Sequence, residues 1–89
     1  MKEPYLEVTY RHGQPIAAYY YLPREVGDRS HKTRREKNGI LVDFNRDGRP
    51  IGVEITAPKH TSVAAVNEVL MELDQGLIDQ ADLAPLLVA

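Results

Sequence analysis

A chain of 89 residues with 43% hydrophobic and 27% charged residues and a formal net charge of -2 has the composition of one ordinary folded domain, 1–89. The absence of cysteine excludes disulfides, a thiolate zinc site and a cysteine nucleophile, so the fold must rest on packing alone. No apolar run approaches the roughly 20 residues that span a bilayer, and the Met1-Lys2-Glu3-Pro4 start has no signal-peptide core, so the expectation is a cytoplasmic protein without membrane contact.

Residues 5 to 10 alternate, with Leu6, Val8 and Tyr10 on one side, and read as a half-buried first strand. Arg11 to Pro15 reads as a turn, and Ile16 to Leu22 as a second strand that Pro23 ends. The Arg24 to Lys37 stretch follows as a basic linker. Ile40, Val42 and Phe44 alternate, Asn45 to Gly48 turns, and Ile51, Val53 and Ile55 alternate back, which makes a second hairpin. Keeping every apolar side chain on one face suggests Val42 opposite Ile51, Ile40 opposite Val53, Asp43 opposite Pro50 and Glu54 opposite Gly39.

After Pro58 the period lengthens to three and four residues at Val63, Val66, Leu70, Leu73 and Leu77. That predicts an amphipathic helix from about Thr61 to Gln75, N-capped by Thr61 or Ser62, lying over the Ile40, Val42, Val53 and Ile55 face. Leu77 to Leu87 reads as a short helical tail with Asp79 or Asp82 as cap. The expected fold is therefore α+β: a four-stranded antiparallel sheet of two consecutive hairpins, covered by a C-terminal amphipathic helix plus that short tail.

Asp43-x-Asn45-x-Asp47-Gly48, followed by Glu54, satisfies the spacing of an EF-hand calcium loop. The flanks have strand period rather than helix period, and the expected register sets Glu54 about 13 Å along the ladder from Asp43. A hairpin turn shaped by Asp47-Gly48 explains the same residues better than a calcium site at Asp43, Asn45 and Asp47.

The run Gly39-Ile-Leu-Val-Asp43-Phe-Asn-Arg-Asp47-Gly48-Arg-Pro-Ile-Gly52-Val-Glu54-Ile resembles the bacterial domain of unknown function numbered 2283, whose hairpins are of the type Val-Asp-Tyr-Asp-x-Asp-Gly-x-x-x-Gly-Ile-Glu-Ile. Thr33 to Glu36 and the opening hairpin are also similar, so the resemblance covers about residues 5 to 58. It departs at Arg11 to Pro15, where that family has an acidic turn, and at the unusually basic linker. The resemblance implies a four-stranded sheet with a helix behind it and no catalytic residues. By association with small toxin-like neighbours, it implies an antitoxin-like or partner-binding role.

The residues themselves point away from catalysis. His12, His31 and His60 lack metal-ligand spacing, Ser30 and Ser62 sit in no nucleophile turn, and the glycines form no phosphate loop. Charge is more informative. Residues 24 to 37 hold six of the 11 Lys and Arg against three acids, a net of +3, whereas 61 to 89 hold five acids and no Lys or Arg.

The reading is a non-enzymatic protein-interaction module without cofactor, expected to be a homodimer and to offer Glu68, Glu72 and Asp74 to a small basic partner protein or a second copy. Edge strands and an uncovered face showing Tyr and Leu side chains favour self-association. The alternative is a nucleic-acid binder that uses Arg29, Lys32, Arg34, Arg35 and Lys37, with Tyr19 to Tyr21 as stacking surfaces.

Overall fold

The computed structural model describes residues 3–76 and Ile78. The chain forms β1 (Tyr5–Arg11), β2 (Gln14–Tyr21), β3 (Lys32–Arg35), β4 (Ile40–Phe44), β5 (Pro50–Ile55), a 3-10 turn (Pro58–His60) and α1 (Val63–Glu72). The strands make one antiparallel sheet in the order β1-β2-β5-β4-β3. Both expected hairpins are present and join through β2 and β5, but the sheet has five strands rather than four.

The added strand, β3, lies within the basic linker. Its residues Lys32, Thr33, Arg34 and Arg35 are all exposed, so it has no apolar alternation to announce it. The ladder to β4 holds it, extended by the His31 N–H donating to the Phe44 carbonyl at 2.8 Å and the Glu36 N–H to the Ile40 carbonyl at 2.7 Å. A short, cationic edge strand repels further strand addition.

The β4–β5 register differs from the expected one by two residues. Val42 faces Val53, Ile40 faces Ile55, Asp43 faces Gly52 and Leu41 faces Glu54. A shift of two leaves every side chain on its original face, so the apolar pattern does not discriminate between the two registers. The loop decides. Asn45 Oδ1 accepts from the Asp47 and Arg49 N–H groups at 3.0 and 2.8 Å, and the Gly48 N–H donates to the Asn45 carbonyl. Gly48 takes the positive φ of 85° that this turn needs. The ladder then passes from Phe44↔Pro50 to Asp43↔Gly52, which leaves Ile51 as the bulge residue. Its carbonyl accepts from the Leu22 N–H on the β2 side.

One face of the sheet is covered. Leu22, Ile40, Val42, Ile51, Val53 and Ile55 are almost wholly buried there, as are Val66 and Leu70 of α1. Burying an aliphatic side chain of this kind is worth roughly 1.5–3 kcal/mol, so this layer dominates stability. Ser62 is the N-cap, its Oγ accepting from the Ala65 N–H at 3.1 Å. The helix ends at Glu72, slightly inside the expected limits, and Asp74 takes a left-handed φ of 59°. Asn67 then grips the following backbone, accepting from the Ile78 N–H and donating to the Ile78 carbonyl. Apart from Ile78, which is buried, the expected helical tail lies outside the described residues. No described helix is long and apolar enough to cross a membrane.

The loop between β2 and β3 is tied to the β4–β5 turn. Asp28 accepts from the Glu25 N–H, from Asn45 Nδ2 and from Arg49, and these donors hold its carboxyl below the usual range, the Glu25 N–H contributing most. This stabilisation is present above the ordinary aspartate pKa and is lost as pH falls through the lowered one. Asn45 is buried at the junction. Asn45→Ala removes the turn acceptor and the Asp28 tether together, with an expected loss of about 1–3 kcal/mol measured by urea unfolding. Hydrogen exchange should quicken first at the Asp47 and Arg49 amides, which lose their acceptor.

Candidate functional site

The second face of the sheet has no covering layer among the described residues. The register sets Glu7, Tyr19, Glu54, Leu41 and Arg35 in one row across all five strands, and Tyr5, Tyr21, Gly52, Asp43 and Thr33 in the next. Strand alternation turns these residues away from the core, because Leu6, Tyr20, Val53 and Val42 beside them face inward.

Aromatic rings pave the β1–β2 half of this face. Tyr5 and Tyr21 stack with centroids 4.5 Å apart and planes 14° from parallel, and Tyr19 meets Tyr21 at 4.7 Å. The Arg24 guanidinium stands 5.1 Å from the Tyr21 centroid, and Tyr21 Oη donates to Glu7 at 3.1 Å. Tyr19 lies flat across Gly52, where any Cβ would overlap its ring. That passage carries its hydroxyl over β5 to donate to Asp43 Oδ2 at 2.7 Å. Thr33 Oγ1 donates to the other oxygen of Asp43, so a chain of polar contacts runs from β2 to β3.

The Tyr19 hydroxyl is pushed up to about 12, first by burial and then by its hydrogen bond and proximity to the Asp43 carboxylate, against which Arg24 acts. Tyr21 is raised as well, chiefly by its hydrogen bond to Glu7.

The structure separates the five cations of the expected nucleic-acid surface. Lys32 and Arg34 pair with Phe44 and Val42 and therefore lie on the α1 side, whereas Arg35 pairs with Leu41 and lies on the open face. Arg34 is ion-paired with Glu36. Arg29 is exposed in the preceding loop, and Lys37 follows β3 at its far end, where it lines a small hollow with Glu68 and Glu72 of α1. Glu68, Glu72 and Asp74 are all exposed. Of the three tyrosines considered for stacking, Tyr20 is a core residue at 7% exposure, and only Tyr19 and Tyr21 reach the open face.

The calcium spacing does not become a calcium cage. Asp43 is engaged by Tyr19 and Thr33, Asn45 by its own turn and Asp28, and Glu54 stands opposite Leu41. Among the described residues no group of three or more His, Asp and Glu side chains converges as a metal site would require. Ser62 is occupied as a helix cap.

Tyr5, Glu7 and Leu41 are surface residues that no sequence motif marks, and Asp43 is marked there only by the calcium spacing. The signal was available: they are the outward half of the same alternations whose inward half marks the core. Comparison with known protein families, curated proteins and solved structures finds no match to the chain.

Because the folded-state value of Tyr19 lies above the ordinary phenol value, the folded state holds this proton more tightly than the unfolded chain does. The resulting stability is present below pH 10.0 and is lost as pH rises toward about 12. An alkaline absorbance titration should show one phenol ionising well after the others. Tyr19→Phe should delete that step, and Asp43→Asn should bring it part of the way down, since burial remains. A late step that survives Tyr19→Phe would assign the shift elsewhere.

Proposed function

We propose that the protein is a non-enzymatic protein-interaction module and that it works as a homodimer, two copies meeting through the open faces of their sheets. The observation that carries this reading is the distribution of charge across that face. Glu7 is on one edge strand and Arg35 on the other, and both belong to the same cross-strand row.

A two-fold axis parallel to the strands and passing by β5 lays β1 of one copy over β3 of the next. It sets Glu7 against the second copy's Arg35 twice over, Tyr19 against Leu41, and Tyr21 against Asp43. A face with this property complements itself, as a closed two-fold dimer requires. Sheets packed face to face stay within roughly 30° of alignment, so the edges keep their partners despite the twist. The tyrosines supply rigid, amphipathic contact area of the kind enriched at interfaces. Three carboxylates on the face, Glu7, Asp43 and Glu54, oppose its use as a phosphate-binding surface.

The same axis brings Glu54 close to its own copy, a like-charge pair that weakens the dimer. Pairing through the β3 edge is the less favourable route to self-association, because Lys32, Arg34 and Arg35 would approach their own copies. The antitoxin-like role implied by the resemblance to domain 2283 would leave the exposed acids Glu68, Glu72 and Asp74 of the helical layer to meet a small basic partner.

Sedimentation equilibrium should return about 20 kDa, twice the 10.0 kDa chain mass. Glu7→Arg and Arg35→Glu should each weaken association about tenfold or more, and the double exchange should restore it. Glu54→Gln should tighten it. A monomer at high micromolar concentration, or a double exchange no better than either single change, would overturn the arrangement.

A further inference from the structure

The α1 side of β3 differs in character from the open face. Lys32 and Arg34 flank a groove of about 260 Å³ whose other walls include His31, Phe44 and Arg46. Every ionisable side chain that lines this groove is a base. It adjoins a second hollow of about 400 Å³, which shares His31 and Arg46 and adds Arg29. The second hollow also contains two carboxylates. Asp28 is engaged by Arg49, Asn45 and the Glu25 N–H, and Asp47 is exposed in the β4–β5 turn.

The groove has a planar element. The Arg34 guanidinium sits 5.0 Å from the Phe44 ring centroid and is held from the other direction by Glu36. Restrained in this way, it offers a flat cationic surface backed by an aromatic ring. Arginine planes and aromatic faces are the supports on which unstacked bases rest.

We propose that this groove binds single-stranded nucleic acid, with phosphates held by Lys32, Arg46 and Arg29 and a base resting on the Arg34 guanidinium over Phe44. Lys32 and Arg34 are two strand positions apart, about 6.6 Å, a step comparable with one nucleotide of an extended single strand. A base can rest on the Arg34 plane only when it is unstacked, which favours a single strand over a duplex. The acidic side chains Glu68 and Glu72 adjoin the opposite end of β3, beside Lys37, and so do not border the groove. Glu36 is the carboxylate that pairs with Arg34, and the groove's own lining stays basic even though the chain as a whole is net negative.

This site differs from the one expected from the basic segment. It excludes Arg35, which faces the other side of the sheet, and Lys37. It includes His31 and Arg46, the latter from the calcium-like turn that sequence spacing had set apart.

The test is fluorescence anisotropy of the full chain with a labelled, mixed-sequence single-stranded oligonucleotide of about 12 nucleotides, within the usual range for one small binding domain. A duplex of the same sequence is run beside it. The expected result is binding of the single strand over the duplex, with log K falling against log salt at a slope of about -2 to -3, the value for three or four phosphates. Lys32→Glu combined with Arg46→Glu should weaken binding more than tenfold. Arg34→Ala should weaken it with little change in salt slope. The distant, exposed pair Arg11→Ala and Lys59→Ala should stay within twofold of the parent. Retained thermal melts in these surface variants exclude unfolding as the cause. Absence of binding at low salt, an unaffected Lys32→Glu/Arg46→Glu variant, or tighter binding of the duplex would each overturn the proposal. So would a mononucleotide that competes as well as the oligomer, which would make this a small-ligand site, or an acidic polypeptide that competes equally, which would make it a protein-binding surface.

Discussion

The two hairpins become one sheet only where β2 meets β5, and that junction rests on four residue pairs, Ala18 to Tyr21 against Ile55 to Gly52. β5 is the strand on which both halves depend. Val53 and Ile55 are buried in one cluster with Val66 and Leu70 of α1 on one side, and on the other the bare backbone of Gly52 lies under the Tyr19 ring. Because Gly52 has no Cβ, Tyr19 can reach past β5 to Asp43 on β4. The hydrogen bond thereby links three adjacent strands across the four-pair junction that joins the two hairpins. Its partial burial lessens competition from water, which is also why the phenol holds its proton so firmly.

How much of this was legible in the sequence follows from which interactions have a period. The alternations at Leu6 and Val8, at Ile40 to Phe44 and at Ile51 to Ile55, and the three-and-four spacing after Pro58, each reflect burial on a single face, and each predicted its element. A register shift of two residues leaves those patterns unchanged, so the choice between Val42↔Ile51 and Val42↔Val53 was made by hydrogen bonds in the Asn45 to Arg49 loop. β3 has no inward face of its own, and nothing in Lys32-Thr33-Arg34-Arg35 distinguishes an edge strand from a polar linker. The tether from Asp28 to Asn45 and Arg49 joins residues 17 and 21 positions apart, a relation no local pattern encodes.

The surface residues were legible to a smaller degree for a related reason. Alternation sorts them onto faces but says nothing about which strands are neighbours. Glu7 and Arg35 come to share a row only because β1 and β3 occupy opposite edges of a five-stranded order. Counting charge along the chain therefore joined Arg34 to Arg35, which the sheet separates, and missed Arg46, which it brings to Lys32.

That separation bears on how the molecule can associate. An antiparallel sheet with an open edge invites another strand, and cations projecting to both sides of β3 make such an approach costly for a second copy. The same cations do not obstruct a polyanion, for which they are complementary, nor a face-to-face contact in which Arg35 meets a carboxylate. A charged edge strand thus discourages growth by strand addition while leaving two other modes of contact open. Those modes use opposite sides of one strand, because its side chains alternate: Lys32 and Arg34 toward the helical layer, Thr33 and Arg35 toward the tyrosines. With no side chain shared between them, occupation of one surface need not displace the other.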